Sequence, residues 1–321
     1  MAKSTDIQLR FRSLLQKAVR RGHTDLVLTV SALIESLGAG QRNWFRSRAA
    51  IITFEECWPL GALLRFTAHF YTKAAALYRL CRSTKIRDAT GLGYLAYHLA
   101  HNDRSVLRDG PEDRTIRVVA RALAHPDRFR QWVQQQSLPP GARELVDHAL
   151  HFLRAGRPLD CAIITAAAWL ACDGPMPIVT AAPQPDGPFP YWVALDRHTP
   201  EGRRALRDIA RDLRVPLPQL EWCGFYFEGA VTNASQPSPW WQRYCRWCFE
   251  QVGLNPAEAH LLWDPVRPQL KAALAEDARD LHHELYAWKL AHLGRLEKLK
   301  SQVTLFLRHY DELTGSQLKV F

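Results

Sequence analysis

Residues 9–60 carry apolar side chains at the three-and-four spacing of amphipathic helices, with arginines set between them. The pattern predicts three short helices whose aliphatic side chains face inward and whose arginines face outward. Helix one begins near Ser4 and Thr5, has Asp6 in its first turn, and ends at Gly22, a residue suited to a C-cap. Helix two runs from about Thr24, a hydroxyl N-cap, to Gly38, and helix three covers roughly 41–56. Pro59 separates it from a fourth helix at about 60–82. Further helices are expected near 87–101, 112–124, 127–136, 141–155 and 159–171. Short Gly/Pro connections join them, as in a helical bundle or array.

The pattern changes at 173–190, where six prolines preclude regular helix and mark a connection. Residues 191–196 fit one short strand. Thr199, Pro200 and Glu201 then give a helix start: hydroxyl N-cap, proline at N1, acid in the first turn. A second irregular stretch at 231–239 precedes the aromatic segment 240–249. After Pro268 only Gly294 interrupts the helical pattern up to Leu313, so one long helix or a kinked pair is expected. Within it Leu296, Leu299, Val303, Phe306, Tyr310 and Leu313 follow the seam spacing of a coiled coil, continued upstream by Leu281, Leu285 and Trp288. That seam either packs on its own domain or carries assembly with another copy. No internal repeat is found. The expected fold is all-α: a multi-helix array or bundle with a long C-terminal helix and room for one or two short strands in the middle. An N-terminal helical domain spans 1–172, the proline-rich connection 173–190, and a C-terminal helical domain 191–321.

Composition narrows the partner class. Among 321 residues 47% are hydrophobic and 23% charged, which excludes disorder, and the net charge is +10. An excess of positive charge favours polyanions through counterion release, so nucleic acid, DNA or RNA, leads. The excess is mostly arginine, whose planar fork takes phosphate bidentately, although a GC-rich genome would enrich arginine as well. Seven cysteines in apolar settings fit reduced thiols in a cytoplasmic protein better than a disulfide framework. The first residues have no apolar core of a signal peptide, and the longest apolar stretch, 161–172, is too short to span a bilayer.

Leu15-Gln16-Lys17-Ala18-Val19-Arg20-Arg21-Gly22, a helix like 25–37, and a third with Trp44, Arg46, Arg48, Ile51 and the Glu55-Glu56 pair resemble the start of a known region. That region is the C-terminal helical part of the MgsA/RarA/Werner-helicase-interacting AAA+ ATPases. The likeness covers about a sixth of the chain. It implies an all-helical, oligomer-forming region that accompanies replication-fork rescue on single-stranded and duplex DNA. No GxxxxGK[ST] P-loop is present, so the ATPase is not implied, and Gly91-Leu92-Gly93 reads as close helix packing.

The candidate nucleic-acid contacts are Arg10, Arg12, Lys17, Arg20, Arg21, Arg42, Arg46 and Arg48, with Trp44 interleaved for base stacking. Arg10, Lys17 and Arg21 share one helical stripe. A second arginine-rich helix, with Arg203, Arg204, Arg207, Arg211 and Arg214, has Asp208 and Asp212 to compensate and reads as an exposed salt-bridged surface. His98/His101 and His148/His151 could each offer two metal ligands from one helix face, but exposed or hydrogen-bonded histidines fit as well. Cys245 and Cys248 have CxxC spacing without a second pair, and read as core. Asp196, His198 and Thr199 form a compact acid/His pair with no nucleophile nominated beside it, and Glu55 and Glu56 lack a histidine nearby.

The expected function is therefore a non-catalytic nucleic-acid-binding accessory protein or subunit of a replication, repair or other nucleic-acid-processing complex. It would have protein partners, no membrane association, no cofactor and no recognisable catalytic motif. Alternatives are an interaction scaffold that never touches nucleic acid, and a metal-dependent hydrolase built on the His-x-x-His pairs.

Overall fold

A computed structural model describes residues 4–64, 69–153, 157–230 and 235–314, with side chains from 8 to 312. Among them are fifteen α-helices and no sheet, so the fold is an all-α array. In order they are α1 Ser4–Arg20, α2 Thr24–Ser36, α3 Ala39–Cys57, α4 Phe70–Cys81, α5 Asp88–Ala100, α6 Asp113–Ala124, α7 Pro126–Gln134 and α8 Pro140–Phe152. Then follow α9 Pro158–Asp173, α10 Pro200–Leu213, α11 Leu217–Gly224, α12 Pro239–Gln251, α13 Pro256–Ala273, α14 Ala275–Ala291 and α15 Leu293–Thr314.

Thr199 caps α10 as expected, accepting a hydrogen bond from the Gly202 amide. Thr24 does not cap α2: it is the first helical residue, after His23 at the N-cap, and no side chain bonds there. Three further expectations differ. Residues 58–63 form a 3-10 turn, and α4 begins only at Phe70, while 65–68 lie outside the described residues. The stretch 191–196 folds as a 3-10 turn, Tyr191–Ala194, instead of a strand. The long C-terminal helix is three: α13, which accommodates Pro265 and Pro268, then α14 and α15. The breaks fall at Leu274 and His292, neither a glycine nor a proline, with non-helical torsions at His292.

α5 is the hub. A Cβ at Gly93 would stand 2.7 Å from the Ala162 carbonyl oxygen of α9, and one at Gly91 2.3 Å from the Trp240 backbone of α12. The Gly-x-Gly pair thus lets two helices press on opposite sides of α5, a packing role and not a phosphate cradle. Buried residues from Phe11 to Leu285 form one continuous core, so side chains from both sides of the 173–190 stretch share it. That stretch lies along the end of α4: the Thr84 amide donates to the Thr180 carbonyl at 2.9 Å and the Ala182 amide to the Arg82 carbonyl at 2.8 Å.

The C-terminal seam is occupied within the chain. Leu296, Leu299, Val303 and Leu307 are buried against Leu28 and Ala32 of α2 and Ala74 and Ala75 of α4. The small alanines leave room for the leucines, and Phe306 packs on the rim of the same cluster. Tyr310 is partly buried against the main core, and Leu313 lies outside the described side chains. Arg79, itself buried, donates to both carboxylate oxygens of Asp311 and ties α15 to α4. The assembly residues Leu296, Leu299 and Val303 therefore face the chain's own α2 and α4 and not a surface offered to a partner.

Candidate functional site

The N-terminal arginines do not all face outward. α1 turns Phe11, Leu14, Leu15, Ala18 and Val19 into the core at helical spacing, and Lys17 and Arg20 go in with them. Arg20 is only 4% exposed and donates to Glu55 at 3.0 Å and to Glu56. Arg87 donates to the other oxygen of Glu56 through Nε at 2.8 Å, and to the Ala230 carbonyl. Arg48 donates to Glu55 at 3.1 Å and to Asp160 at 3.2 Å. Three guanidiniums and three carboxylates thus form one chain from the rim to the centre, with no net charge. Burial alone would raise the Glu56 carboxyl, but Arg20 and Arg87 outweigh it and hold it at about 2.

The other members of the stripe are also paired. Lys17 is bonded to Asp196. Burial would raise that carboxyl, yet Lys17 and His198 hold it far below the carboxylate range. Arg10 donates through Nε to Glu201 at 2.9 Å and has Asp277 nearby. Arg21 donates to the Glu228 carbonyl at 2.7 Å. Arg46 pairs with Glu35 at 3.3 Å, in a separate groove of about 500 Å³ that also holds His69, Arg295 and Lys298. Arg42 is partly exposed. The stripe of Arg10, Lys17 and Arg21, expected to face outward, is thus turned onto carboxylates of the chain itself, as is Arg20. Nothing in a single helix's periodicity tells a buried guanidinium from a solvated one.

What remains is a cleft of about 730 Å³ between α1, α3, α5 and the start of α9. Arg12, Ser13 and Gln16 line it from α1, Trp44, Ser47 and Arg48 from α3, Tyr94 and Tyr97 from α5, Phe152 from α8, and Arg157, Pro158 and Asp160 from the head of α9. His198 completes the rim, its Nδ1 3.1 Å from Asp196. Arg12 lies over the Trp44 ring at 4.7 Å and donates to the Gln41 side chain at 3.1 Å. Among the described residues neither Arg12 nor Arg157 forms an ion pair. Burial lowers the Arg12 guanidinium, and the positive charge of Arg157 adds to the effect. Tyr94 packs on Tyr244 with centroids 4.9 Å apart, and burial pushes its hydroxyl up.

The cleft therefore joins Arg12, Trp44 and Arg48 from the expected set and leaves out Arg10, Lys17, Arg20, Arg21, Arg42 and Arg46. Arg157, Tyr94 and Tyr97 were not singled out in the sequence, since each lies on a helix with no basic run of its own. The remaining chemistry-bearing motifs do not converge. His98 is packed on Trp247 at 4.4 Å, His101 is bonded to the Tyr97 carbonyl at 2.8 Å, and buried His148 faces the Gly61 carbonyl at 3.1 Å. His151 stands edge-on to Phe152. Cys245 and Cys248 are buried free thiols, raised by that burial, to about 12 for Cys248. Among the described residues no group of three or more His, Cys, Asp or Glu side chains could hold a metal ion, and no helix is long and apolar enough to cross a membrane. No protein-family model, curated protein or solved structure matches the chain.

Proposed function

We propose that this chain is a non-catalytic nucleic-acid-binding accessory protein, and that its contact is the cleft between α1, α3, α5 and α9. The carrying observation is the pair Arg12 and Arg157, two cations close enough to repel, beside the rings of Trp44, Tyr94 and Tyr97. They form no ion pair among the described residues and have only Asp160, already bonded to Arg48, near Arg157. Phosphate would relieve the repulsion, and an unstacked base would find an aromatic face. The volume is that of a small-ligand pocket, so it suits one or two nucleotides of a single strand and not a duplex. The overall charge of +10 supports the same partner class. The resemblance of residues 15–56 to the MgsA/RarA helical region adds replication or repair as the process, and the seven free thiols favour a cytoplasmic location.

A protein partner is the second reading, supported by Tyr286, Leu290 and Leu293, which are half-exposed at a spacing of four and three across the α14–α15 junction.

Anisotropy with labelled single-stranded, duplex and forked DNA and with RNA, across a salt series, tests the proposal. Single strands should bind best, and Arg12→Ala with Arg157→Ala should weaken them about tenfold per contact while cutting the salt slope by about 0.7 for each. Binding equal to that for a generic polyanion, unaffected by both substitutions, would remove the nucleic-acid reading.

A further inference from the structure

Charge balance across the cleft says which part of a strand fits it. Arg48 is neutralised by Glu55 and Asp160, and Arg20 and Arg87 by Glu55 and Glu56, so the floor contributes no net charge. Asp160, the one carboxylate among the described rim residues, is already engaged by Arg48 at 3.2 Å. Among the described residues Arg12 and Arg157 are left, a surplus of two positive charges across one small cavity. Arg157 is also the N-cap of α9, where the Asp160 carboxylate in the first turn accepts from the Arg157 backbone amide and leaves the Arg157 guanidinium to face the cleft. Ser13, only 6% exposed, lines the cleft with its hydroxyl unpartnered. An internal phosphodiester brings one negative charge, whereas a terminal phosphomonoester brings nearly two at neutral pH and three acceptor oxygens.

We infer that the cleft takes the phosphomonoester end of a single-stranded nucleic acid, with the phosphate between Arg12 and Arg157 and the terminal base against Trp44, Tyr94 or Tyr97. This inference rests on the nucleic-acid reading of the same cleft. The surplus matches the charge of the end group, and the cavity volume matches a terminal nucleotide better than a continuous track.

The test uses one internally labelled single strand in three forms: 5′-phosphorylated, 3′-phosphorylated, and hydroxyl at both ends. The full chain and its Arg12→Gln and Arg157→Gln variants are compared, with circular dichroism as a check on folding; Arg157 is exposed, so its variant folds regardless of Arg12. One phosphorylated form should bind about tenfold more tightly than the hydroxyl form, and either substitution should abolish that difference. Equal affinity for all three strands, lowered equally by the substitutions, would overturn the end preference while leaving the cleft as a nucleic-acid site. Binding that ignores both substitutions would overturn the end preference and the cleft together.

Discussion

Glu56 sits between two guanidiniums at the centre of the molecule, 1% exposed, with every oxygen engaged. A buried ion pair adds little over an apolar replacement, but removing one partner strands a charge and costs about 3–5 kcal/mol. Arg20→Met should therefore destabilise strongly, because it leaves three carboxylates sharing two guanidiniums in the buried network, and urea denaturation at neutral pH would read the loss. Acid should act through the same carboxyl. It titrates at about 2 in the folded chain against 4.5 for the free group, so its stabilisation is complete above 4.5 and lost as pH falls from there through 2. Stability that stays flat over that window would contradict this account of the network. The residue types of this network were legible, but their direction was not. Lys17 and Arg20 follow the same helical spacing as solvated residues, and their partners lie on other elements at Asp196, Glu55 and Glu56.

At the scale of elements, the Gly91-Leu92-Gly93 crossing decides whether α5 can be gripped from both sides. Gly93→Val would place a Cβ against the Ala162 backbone and should cost about 2–3 kcal/mol, visible as a lower melting temperature. Gly141→Ala in α8 meets nothing within 4 Å and should be neutral or raise stability by about 0.5–1 kcal/mol. A tolerant Gly93 would remove the close-packing assignment. The helix start at Thr199 was readable in advance because its capping chemistry is local, whereas Thr24 heads α2 without serving as its cap. The break at Leu274 was not readable, since leucine does not disfavour helix, while the one at His292 falls two residues before Gly294, the breaker marked in the sequence. The seam of α15 was readable as a stripe, but whether α2 and α4 or another copy would cover it depends on tertiary pairing.

For the whole molecule, one core from Phe11 to Leu285 crosses the proline-rich stretch that the sequence marks as a connection. Calorimetry should show a single cooperative transition whose calorimetric and van't Hoff enthalpies agree. Two separable transitions would mean that 1–172 and 191–321 fold as independent units. The all-α class was legible because helical periodicity and caps recur along the chain. The cleft was legible only in part: Arg12, Trp44 and Arg48 stood in the basic N-terminal set, whereas Arg157, Tyr94 and Tyr97 reach it from helices about 50 and 110 residues further along. Spatial assembly of distant residues leaves no mark in local spacing.

The most direct measurement is photocrosslinking of a single strand carrying a photoreactive base, with the adduct mapped by mass spectrometry. Adducts on Trp44, Tyr94 or Tyr97, lost when Arg12 and Arg157 are replaced, are the outcome that the cleft assignment predicts. Adducts confined to Tyr71 and the Arg46–Lys298 groove, or elsewhere on the surface, would contradict it.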